Sequence, residues 1–381
     1  MPSRLARTWF LCLLSAAITG CDACGKTPSL VSIGSAAPRP GPSSLPPSTG
    51  PFPSAHARVG PRPTQYLKGQ LHAHSNKSGD SHTDPEEVTA FYASHGFDFL
   101  VLTDHYVITV TPSPPGLLVL PGVEITQNLY TCQPPPADPA WNCFLHVNAL
   151  LVEPRPGRMT FGDLKTRQRT EIYGRAVDRA LSYGGIAQLN HPNFQGGADL
   201  DVVLALARQG LTLMEIDNQS VGADNAGSAK RPSTEALWDA ALMAGAKIYG
   251  TATDDAHHYS DAAELRARGK VPEVGDLGWV MARADPTAES IREALESGDF
   301  YGSTGLFFDR LELGPEAITV EVREDGKGAA LQIELIGAGK VLETVRGAKA
   351  SFDPRRFDVP YLRIRVTDAQ GRKAFSQPLF R

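Results

Sequence analysis

The sequence predicts an α/β fold, a barrel of parallel strands with helices outside it, followed by a small antiparallel β module. Over residues 66–305, seven short apolar runs bounded by turn residues alternate with helical patterns. Such alternation is typical of a mostly parallel sheet covered by helices. About 240 residues of this kind fit a barrel close to the (β/α)8 size, although only seven strands are clear. A doubly wound open sheet is the alternative that the same alternation allows.

The individual elements follow from apolar spacing and from the residues that flank it. The first predicted helix follows Asp84, a residue type favoured at the N-cap, and each of the others ends at a glycine. The predicted helices cover residues 85–95, 171–183, 200–209, 233–244 and 286–297. The predicted strands cover residues 67–72, 97–103, 117–123, 145–152, 185–190, 211–216 and 247–253.

After residue 305 the pattern changes to an alternation of apolar and polar residues. Segments 318–322, 331–335 and 362–366 predict half-buried strands of a small β-sandwich-like module over residues 306–381. Asp325-Gly326 provides a turn between two of them. The module contains no histidine or cysteine. We therefore expect it to be a structural cap, with binding of a glycan or a partner as the alternative.

The composition excludes two broad classes of protein. Hydrophobic residues make up 41% of the chain and charged residues 21%, which suffices for a sizeable core and excludes a disordered chain. The net charge is −5 and no basic patch is visible, whereas proteins that bind nucleic acid normally carry a basic excess. A nucleic-acid partner is therefore not expected.

Residues 1–20 predict an export signal. Arg4 and Arg7 precede an apolar run over residues 9–19, which is shorter than the roughly 20 residues of a membrane-spanning helix. The sequence Ile-Thr-Gly-Cys that ends at Cys21 resembles the bacterial lipobox, which implies cleavage before Cys21 and lipid attached to it. An ordinary secretory signal is the alternative. The lipobox predicts a membrane-anchored protein of the bacterial cell envelope, periplasmic or surface-facing.

Residues 21–65 predict an extended, proline-rich tether. Ten prolines lie between residues 27 and 65, and this part of the chain has no periodic apolar pattern. Such a composition cannot bury enough apolar surface to fold. The tether would hold the catalytic body away from the membrane.

Three cysteines remain after Cys12 in the signal and Cys21 in the lipobox. Cys132 and Cys143 are eleven positions apart around three consecutive prolines. Outside the cytoplasm such a pair can form a disulfide, and two free thiols are the alternative. Nothing near them has the spacing of a zinc finger, so we do not expect this pair to bind metal.

Histidines and carboxylates follow strand after strand. They are His72 and His74 after the first strand, Asp104 and His105 after the second, Glu124 after the third, His191 after the fifth, and Asp255 and His257 after the seventh. Barrel enzymes build their sites at the C-terminal ends of strands. Imidazole and carboxylate ligands together suit zinc, manganese or iron. His146 fits this pattern less well because it opens the fourth apolar run instead of ending it.

The motifs resemble one family in their order as well as their types. His72-Ala73-His74, Asp80, Thr103-Asp104-His105, Gly122-Val123-Glu124, His146, Asn190-His191-Pro192 and Asp255-Ala256-His257 resemble the PHP (polymerase and histidinol phosphatase) domain. The resemblance covers residues 66–305 and implies a distorted (β/α)7 barrel with two or three divalent transition metals, zinc, manganese or iron. Residues 298–305 and 375–378 are similar to the branch typified by carbaryl hydrolase.

The resemblance also implies how the ligands divide among the metals. One metal would take His72, His74, Glu124 and Asp255; a second would share Glu124 and take His146 and His191; a third would take Asp80, His105 and His257. His82 is the alternative to Asp80. Asp104 and Asp254 would orient imidazoles or, alternatively, cap loops.

The predicted activity is hydrolysis of a small-molecule phosphoester by a metal-bound hydroxide, with Glu124, His191, Asp255 and His257 as catalytic residues. The sequence has no Gly-x-Ser-x-Gly motif and no P-loop that would indicate another mechanism. Two alternatives remain. One is hydrolysis of a carbamate or carboxylic ester, and the other is a surface lipoprotein that binds metal or ligand without turnover.

Overall fold

The computed structural model describes residues 51–54, 56–58, 61–155, 157–159, 165–324 and 330–381. The predicted signal peptide, the lipobox with Cys21 and most of the predicted tether lie outside the described residues, as does the turn at Asp325-Gly326. Within the described ranges, no helix has both the length and the apolar character needed to cross a membrane.

The helices form where the sequence predicts them, with one addition, the short α5. Side chains cap three of them, because Asp199, Ser233 and Thr287 accept hydrogen bonds from backbone N–H groups of the first turn. Asp84 occupies the predicted N-cap position of α1, but its side chain makes no capping hydrogen bond and instead accepts one from Asn76. The described helices are α1 (Pro85–Ser94), α2 (Arg169–Ser182), α3 (Leu200–Arg208), α4 (Thr234–Met243), α5 (Ala262–Ala267) and α6 (Ala288–Ser297).

All seven strands predicted over residues 66–305 are present, and four further strands join them in that part of the chain. The strands up to residue 305 are β1 (Leu67–Gln70), β2 (Phe99–Leu102), β3 (Val107–Ile108), β4 (Leu118–Leu129), β5 (Cys143–Leu150), β6 (Gly157–Arg158), β7 (Ile186–Leu189), β8 (Leu213–Asn218), β9 (Tyr249–Thr253), β10 (Trp279–Ala282) and β11 (Phe300–Ser303). The remaining strands are β12 (Phe308–Leu313), β13 (Ile318–Val322), β14 (Gln332–Gly337), β15 (Lys340–Arg346), β16 (Lys349–Phe352), β17 (Tyr361–Thr367), β18 (Lys373–Ser376) and β19 (Leu379–Phe380).

The main sheet is mixed and open, which corrects the expectation of a distorted (β/α)7 barrel. Its order is β15-β14-β17-β18-β11-β10-β1-β2-β4-β5-β7-β8-β9. Strands β1, β2 and β4 are parallel, as are β7, β8 and β9, but β5 and β10 run antiparallel to their neighbours. In the described sheet, β9 is an edge. The side-chain amide of Gln377 occupies this edge through hydrogen bonds of 2.8 and 2.7 Å with the backbone of Gly250.

The direction of β5 agrees with the lack of a crossover helix between it and β4. Parallel neighbours need a crossover of a dozen or more residues, usually a helix, whereas antiparallel neighbours need only a turn. The described residues between β4 and β5 form no helix. The two strands therefore pair antiparallel, from Gly122 opposite Leu150 to Leu129 opposite Cys143.

The C-terminal strands extend the main sheet. β18 pairs with β11, and β17, β14 and β15 follow it outward, while β12, β13 and β16 form a separate three-stranded sheet. The two segments that carried the narrower family resemblance are therefore adjacent, because Gly302 lies opposite Phe375. The described residues from 51 onward belong to one compact unit, in which the part after residue 305 shares backbone hydrogen bonds with the part before it.

A buried ion-pair network joins α4 to β17. The guanidinium of Arg363 donates to both carboxylate oxygens of Asp239 at 2.8 and 2.7 Å and to Glu235 at 2.7 Å. Arg363 has no exposed surface. Arg363 thus supplies much of the positive charge that balances the carboxylates of Asp239 and Glu235, although Arg365 also pairs with Glu235.

Arg363→Met is therefore expected to destabilise the protein by about 3–5 kcal/mol, because it leaves buried carboxylates without their cation. Denaturant unfolding measures the change. Arg355→Met is the matched control, since Arg355 pairs with Asp353 and Glu316 at the surface and its loss should leave stability nearly unchanged. Equal effects of the two substitutions would contradict this assignment.

The last residues of the predicted tether pack against the body. Phe52 lies beneath the guanidinium of Arg208, 4.6 Å from the ring centroid, at the C-terminal end of α3. Arg62 and Arg58 pair with Asp299 at 2.8 and 3.4 Å. In β/α units the helices end on the face opposite the C-terminal ends of the strands. The described tether residues therefore contact the body on the face away from the C-terminal strand ends.

Candidate metal centre

The structure brings all nine predicted ligand residues together at one end of the sheet. Residues after β1, β2, β7 and β9 meet there because these strands point the same way. His146 joins them because β5 runs in the opposite direction, so the beginning of β5 lies beside the ends of its neighbours. Three groups could each hold a metal ion, with ligand atoms within 4.8 Å of one another: His74, Asp80, His105 and His257; His72, His74 and Glu124; and Glu124, His146 and His191.

Glu124 lies at the centre of the cluster. Its Oε1 is 3.0 Å from Nδ1 of His146 and 3.6 Å from Nε2 of His191, while its Oε2 is 3.5 Å from Nε2 of His74. Asn190 donates a hydrogen bond of 2.9 Å to Oε1. Glu124 is 1% exposed. Each oxygen thus faces a different group of histidines, the arrangement needed by a carboxylate that bridges two cations.

Asp255 completes the group around His72. Its Oδ1 is 3.1 Å from Nε2 of His72 and 3.2 Å from Nε2 of His74. Asp255 and His191 both have left-handed backbone conformations, with φ of 53° and 24°. Residues other than glycine adopt this region only where their surroundings enforce it, and such residues cluster at functional sites.

Asp80, not His82, belongs to the third group. Its Oδ2 is 2.9 Å from Nε2 of His105 and 3.6 Å from Nε2 of His257. His82 is exposed and joins none of the three groups. Of the two alternatives left open by the sequence, the geometry favours Asp80.

Three buried imidazole nitrogens in the cluster lie close to carboxylate oxygens but form no hydrogen bond of proper geometry with the described residues: Nε2 of His72, Nε2 of His74 and Nδ1 of His146. The opposite nitrogen of each ring does have a hydrogen-bond partner, in Glu215, Ser78 and Asn128 respectively. Leaving a buried polar atom unpaired is costly, and a metal ion would satisfy all three. The donor set therefore fits divalent transition metals.

The electrostatics of the cluster divide its candidate ligands into groups that hold a proton in the absence of a cation and groups that do not. Burial lowers the pKa of His105, but the charges of Glu124 and Asp80 outweigh it and raise the pKa to about 10. Burial, reinforced by the charge of His257, lowers the pKa of His74 to about 4. Burial raises the pKa of Glu124, but the surrounding histidines outweigh it and hold the pKa well below its ordinary value. Cation binding should therefore release protons.

Sequence reasoning missed Glu215, which organises the cluster from behind. This residue lies in β8 and is fully buried. Its Oε1 lies 2.7 Å from Nδ1 of His72, and its Oε2 accepts from the backbone N–H of His191 at 2.6 Å. Asn218 and Thr253 donate to the same carboxylate. A carboxylate behind a metal-binding imidazole fixes which ring nitrogen faces the metal. A detectable signal was a charged residue inside an apolar strand.

Asp104 and Asp254 do not orient imidazoles, so the loop-capping alternative is the correct one. Asp104 accepts from the backbone and hydroxyl of Ser75 at 2.6 and 2.8 Å. Asp254 accepts from the backbone N–H groups of Leu277 and Gly278, each at 2.8 Å. Both carboxylates hold the loops that carry the ligands.

A cavity of about 260 Å³ opens beside the cluster. Its lining combines candidate ligands with apolar and polar residues: Asp80, His105, Glu124, Asn128, Phe144, His146, His191, Phe194, Ser220, Val221, Ala223, Asp255, His257 and Glu273. Neither lysine nor arginine is among these described lining residues.

Cys132 and Cys143 form a disulfide, with 6.0 Å between their α-carbons. The bridge ties the beginning of the β4–β5 connection to the first residue of β5. Glu124 and His146 lie on these two paired strands. The bridge therefore restrains the hairpin that carries two candidate ligands.

Replacing both cysteines with serine is expected to lower stability by about 3 kcal/mol, since the cross-link restricts the unfolded chain. Metal retention should fall as well, because the hairpin positions Glu124 and His146. Thermal unfolding and elemental analysis measure the two effects, and wild-type protein treated with a reductant is the control. If the variant is less stable but keeps its full metal content, the disulfide does not contribute to metal binding.

No family model matches this chain, and no curated protein matches it. Two solved structures are similar. One is a two-domain protein from Bacteroides vulgatus that contains a predicted PHP-like metal-dependent phosphoesterase. It is 14% identical to this chain with a TM-score of 0.45, and the match covers 85% of this chain and 99% of that chain. The other is a protein from Bifidobacterium adolescentis described as a metal-dependent phosphoesterase, an assignment that is likewise not demonstrated. It is 15% identical to this chain with a TM-score of 0.33, and the match covers 52% of this chain and 90% of that chain. At these values neither likeness identifies the activity of this chain.

Proposed function

We propose that this protein is a metal-dependent hydrolase of small-molecule phosphoesters that uses two or three divalent ions, zinc, manganese or iron. The observation that carries the proposal is the set of unpartnered buried nitrogens of His72, His74 and His146, which face carboxylates of the cluster. The ordered PHP-like motifs of the sequence support the same activity.

The residues of the chain would act mainly by placement. Bound divalent cations would supply a coordinated water of lowered pKa and would neutralise charge that develops on the ester. Glu124, kept unprotonated by the surrounding histidines, presents both oxygens to the cluster. Glu215 and Asn128 fix which nitrogens of His72 and His146 face inward. His191, Asp255 and His257 complete the proposed catalytic set.

Hydrolysis of a carbamate or carboxylic ester is the second candidate. The lack of lysine and arginine in the described lining favours it, because uncharged esters need no such partner. Its other support is the likeness of residues 298–305 and 375–378 to the carbaryl hydrolase branch of the family.

The proposal places the enzyme in the bacterial cell envelope, anchored by lipid at Cys21. Phe52, Arg58 and Arg62 contact the face opposite the metal centre. A chain anchored upstream of these residues would leave the cavity open to substrates on the side away from its attachment. Fatty-acid labelling of wild type and Cys21→Ser tests the anchor, and equal labelling of both would refute it.

The test of activity begins with elemental analysis of purified protein, expected to contain two or three transition-metal ions per chain. Aryl phosphates and phosphodiesters are then compared with aryl esters and carbamates on the metal-loaded protein. Turnover of the phosphorus substrates that disappears on chelation supports the proposal. Turnover of the carbonyl esters alone supports the second candidate, and metal binding with no turnover on any substrate contradicts both.

A further inference from the structure

One side of the cavity is an apolar wall formed by Phe144, Phe194 and Val221. The rings of Phe144 and Phe194 lie 5.5 Å apart between centroids. Phe194 packs edge-on against His191 at 5.2 Å, and Phe144 stacks on His146 at 6.3 Å. Two candidate ligands of one metal group thus border directly on this wall.

The positions of the wall residues are set by the same loops and strands that carry the ligands. Phe144 lies two residues before His146 on β5. The backbone N–H of Phe194 donates to the carbonyl of His191 at 2.8 Å, which closes a turn around the candidate ligand. Gly222, with φ of 91°, leaves room for Phe194, because a side chain there would come within 3.2 Å of the ring.

The wall residues line open space instead of filling the core. Both phenylalanine rings are only half-buried, and Val221 is 53% exposed. Apolar surface that lines a cavity beside a catalytic cluster gains free energy when an apolar group covers it. The geometry suits an aromatic group stacked on or set against these rings.

The charge of the remaining lining limits the anionic charge of a substrate. Its ionisable residues besides histidine are four carboxylates: Asp80, Glu124, Asp255 and Glu273. No lysine or arginine among the described lining residues could form a charge-assisted hydrogen bond with a phosphate. Any counter-charge must come from the metals, and the four carboxylates cancel the full charge of two divalent ions and most of the charge of three. A second negative charge on the ester would therefore be poorly compensated.

We propose that the wall of Phe144, Phe194 and Val221 binds an aromatic or similarly apolar group of the substrate, so that the preferred phosphoesters are monoanionic aryl phosphodiesters. This inference rests on the proposed phosphoesterase function and names its substrate class. Dianionic phosphomonoesters are the poorer substrates of the same site.

The test uses full-length, metal-loaded protein and two non-reacting probes of equal charge, diphenyl phosphate and dimethyl phosphate. Calorimetry should show that the wild type binds the diphenyl compound about tenfold more tightly or better. Phe194→Ala and Phe144→Ala should each lose most of this preference while binding of dimethyl phosphate stays the same. Phe194→Leu should keep part of the preference. Tyr130→Ala is the matched control, since Tyr130 is 87% exposed and lines no part of this cavity.

Turnover of bis(p-nitrophenyl) phosphate and p-nitrophenyl phosphate is measured in parallel. A higher kcat/KM for the diester, with a raised KM in Phe194→Ala at unchanged metal content, supports the inference. The proposed role of the wall would be wrong if the wild type bound the two probes equally. It would also be wrong if Tyr130→Ala lost the preference for diphenyl phosphate as much as Phe194→Ala does. Faster turnover of the monoester would overturn the charge argument. If the protein prefers diphenyl phosphate through Phe194 but hydrolyses neither nitrophenyl phosphate, the wall binds aromatic groups as proposed and the phosphoesterase function is wrong.

Discussion

Glu124→Gln is expected to remove most of the bound metal and to reduce hydrolysis roughly 100-fold or more, since even the partners behind metal ligands typically matter 10–100-fold. The reason is its central position. Its two oxygens face different groups of histidines, so losing its charge weakens two proposed sites at once. The substitution preserves shape, which separates loss of charge from loss of packing. Elemental analysis and turnover of an aryl phosphodiester measure the two effects.

Two variants calibrate this result. Asp80→Asn touches only the third group and should cost less metal than Glu124→Gln. His82→Ala lies two residues away, is exposed and should change neither metal content nor turnover. If His82→Ala were as damaging as Asp80→Asn, the ligand of the third group would be misassigned. If Glu124→Gln kept its full metal content, Glu124 would not bridge.

The parts of the fold that the sequence predicts well are those set by local pattern. The seven strands and five helices predicted over residues 66–305 are all present, with ends shifted by a few residues. Strands β10 and β11 were missed although they are as long as β1, β2 and β7, which were predicted. Runs of that length carry no distinct periodicity.

Strand direction and closure of the sheet lie beyond local pattern. An apolar run reads the same whether it pairs parallel or antiparallel, so the prediction of a mostly parallel sheet leaves the direction of β5 undetermined. Its direction was encoded in the lack of a helical pattern between β4 and β5. The position of His146 at the start of its apolar run also indicated the antiparallel direction of β5. Only in a reversed strand does the first part of the run lie beside the other candidate ligands.

The candidate ligands were predictable because their motifs are contiguous in sequence, whereas the residues that orient them are not. Glu215 acts on His72, 143 positions earlier in the chain, and on the backbone of His191. No short motif encodes such a pairing. Its trace in the sequence is a carboxylate within an apolar strand, a residue type seldom buried without partners.

Glu215→Gln is expected to weaken metal binding about 10–100-fold, the usual effect of removing a partner behind a ligand. Glutamine retains one acceptor oxygen, but its amide would present a second donor either to the N–H of His191 or to the ring of His72. The rings would then lose their fixed orientation while all proposed ligands remain. Competition with a chromogenic chelator measures metal affinity, and thermal unfolding measures stability.

Glu235→Gln separates this positioning role from a merely structural one. Glu235 is a half-buried carboxylate that pairs with Arg363 and Arg365 away from the metal centre. Its substitution should lower the unfolding temperature and leave metal affinity unchanged. Glu215→Gln should lower metal affinity beyond anything its loss of stability explains. If both variants lose stability and neither loses metal affinity, Glu215 serves the fold alone, and His72 and His191 are held for binding by other contacts.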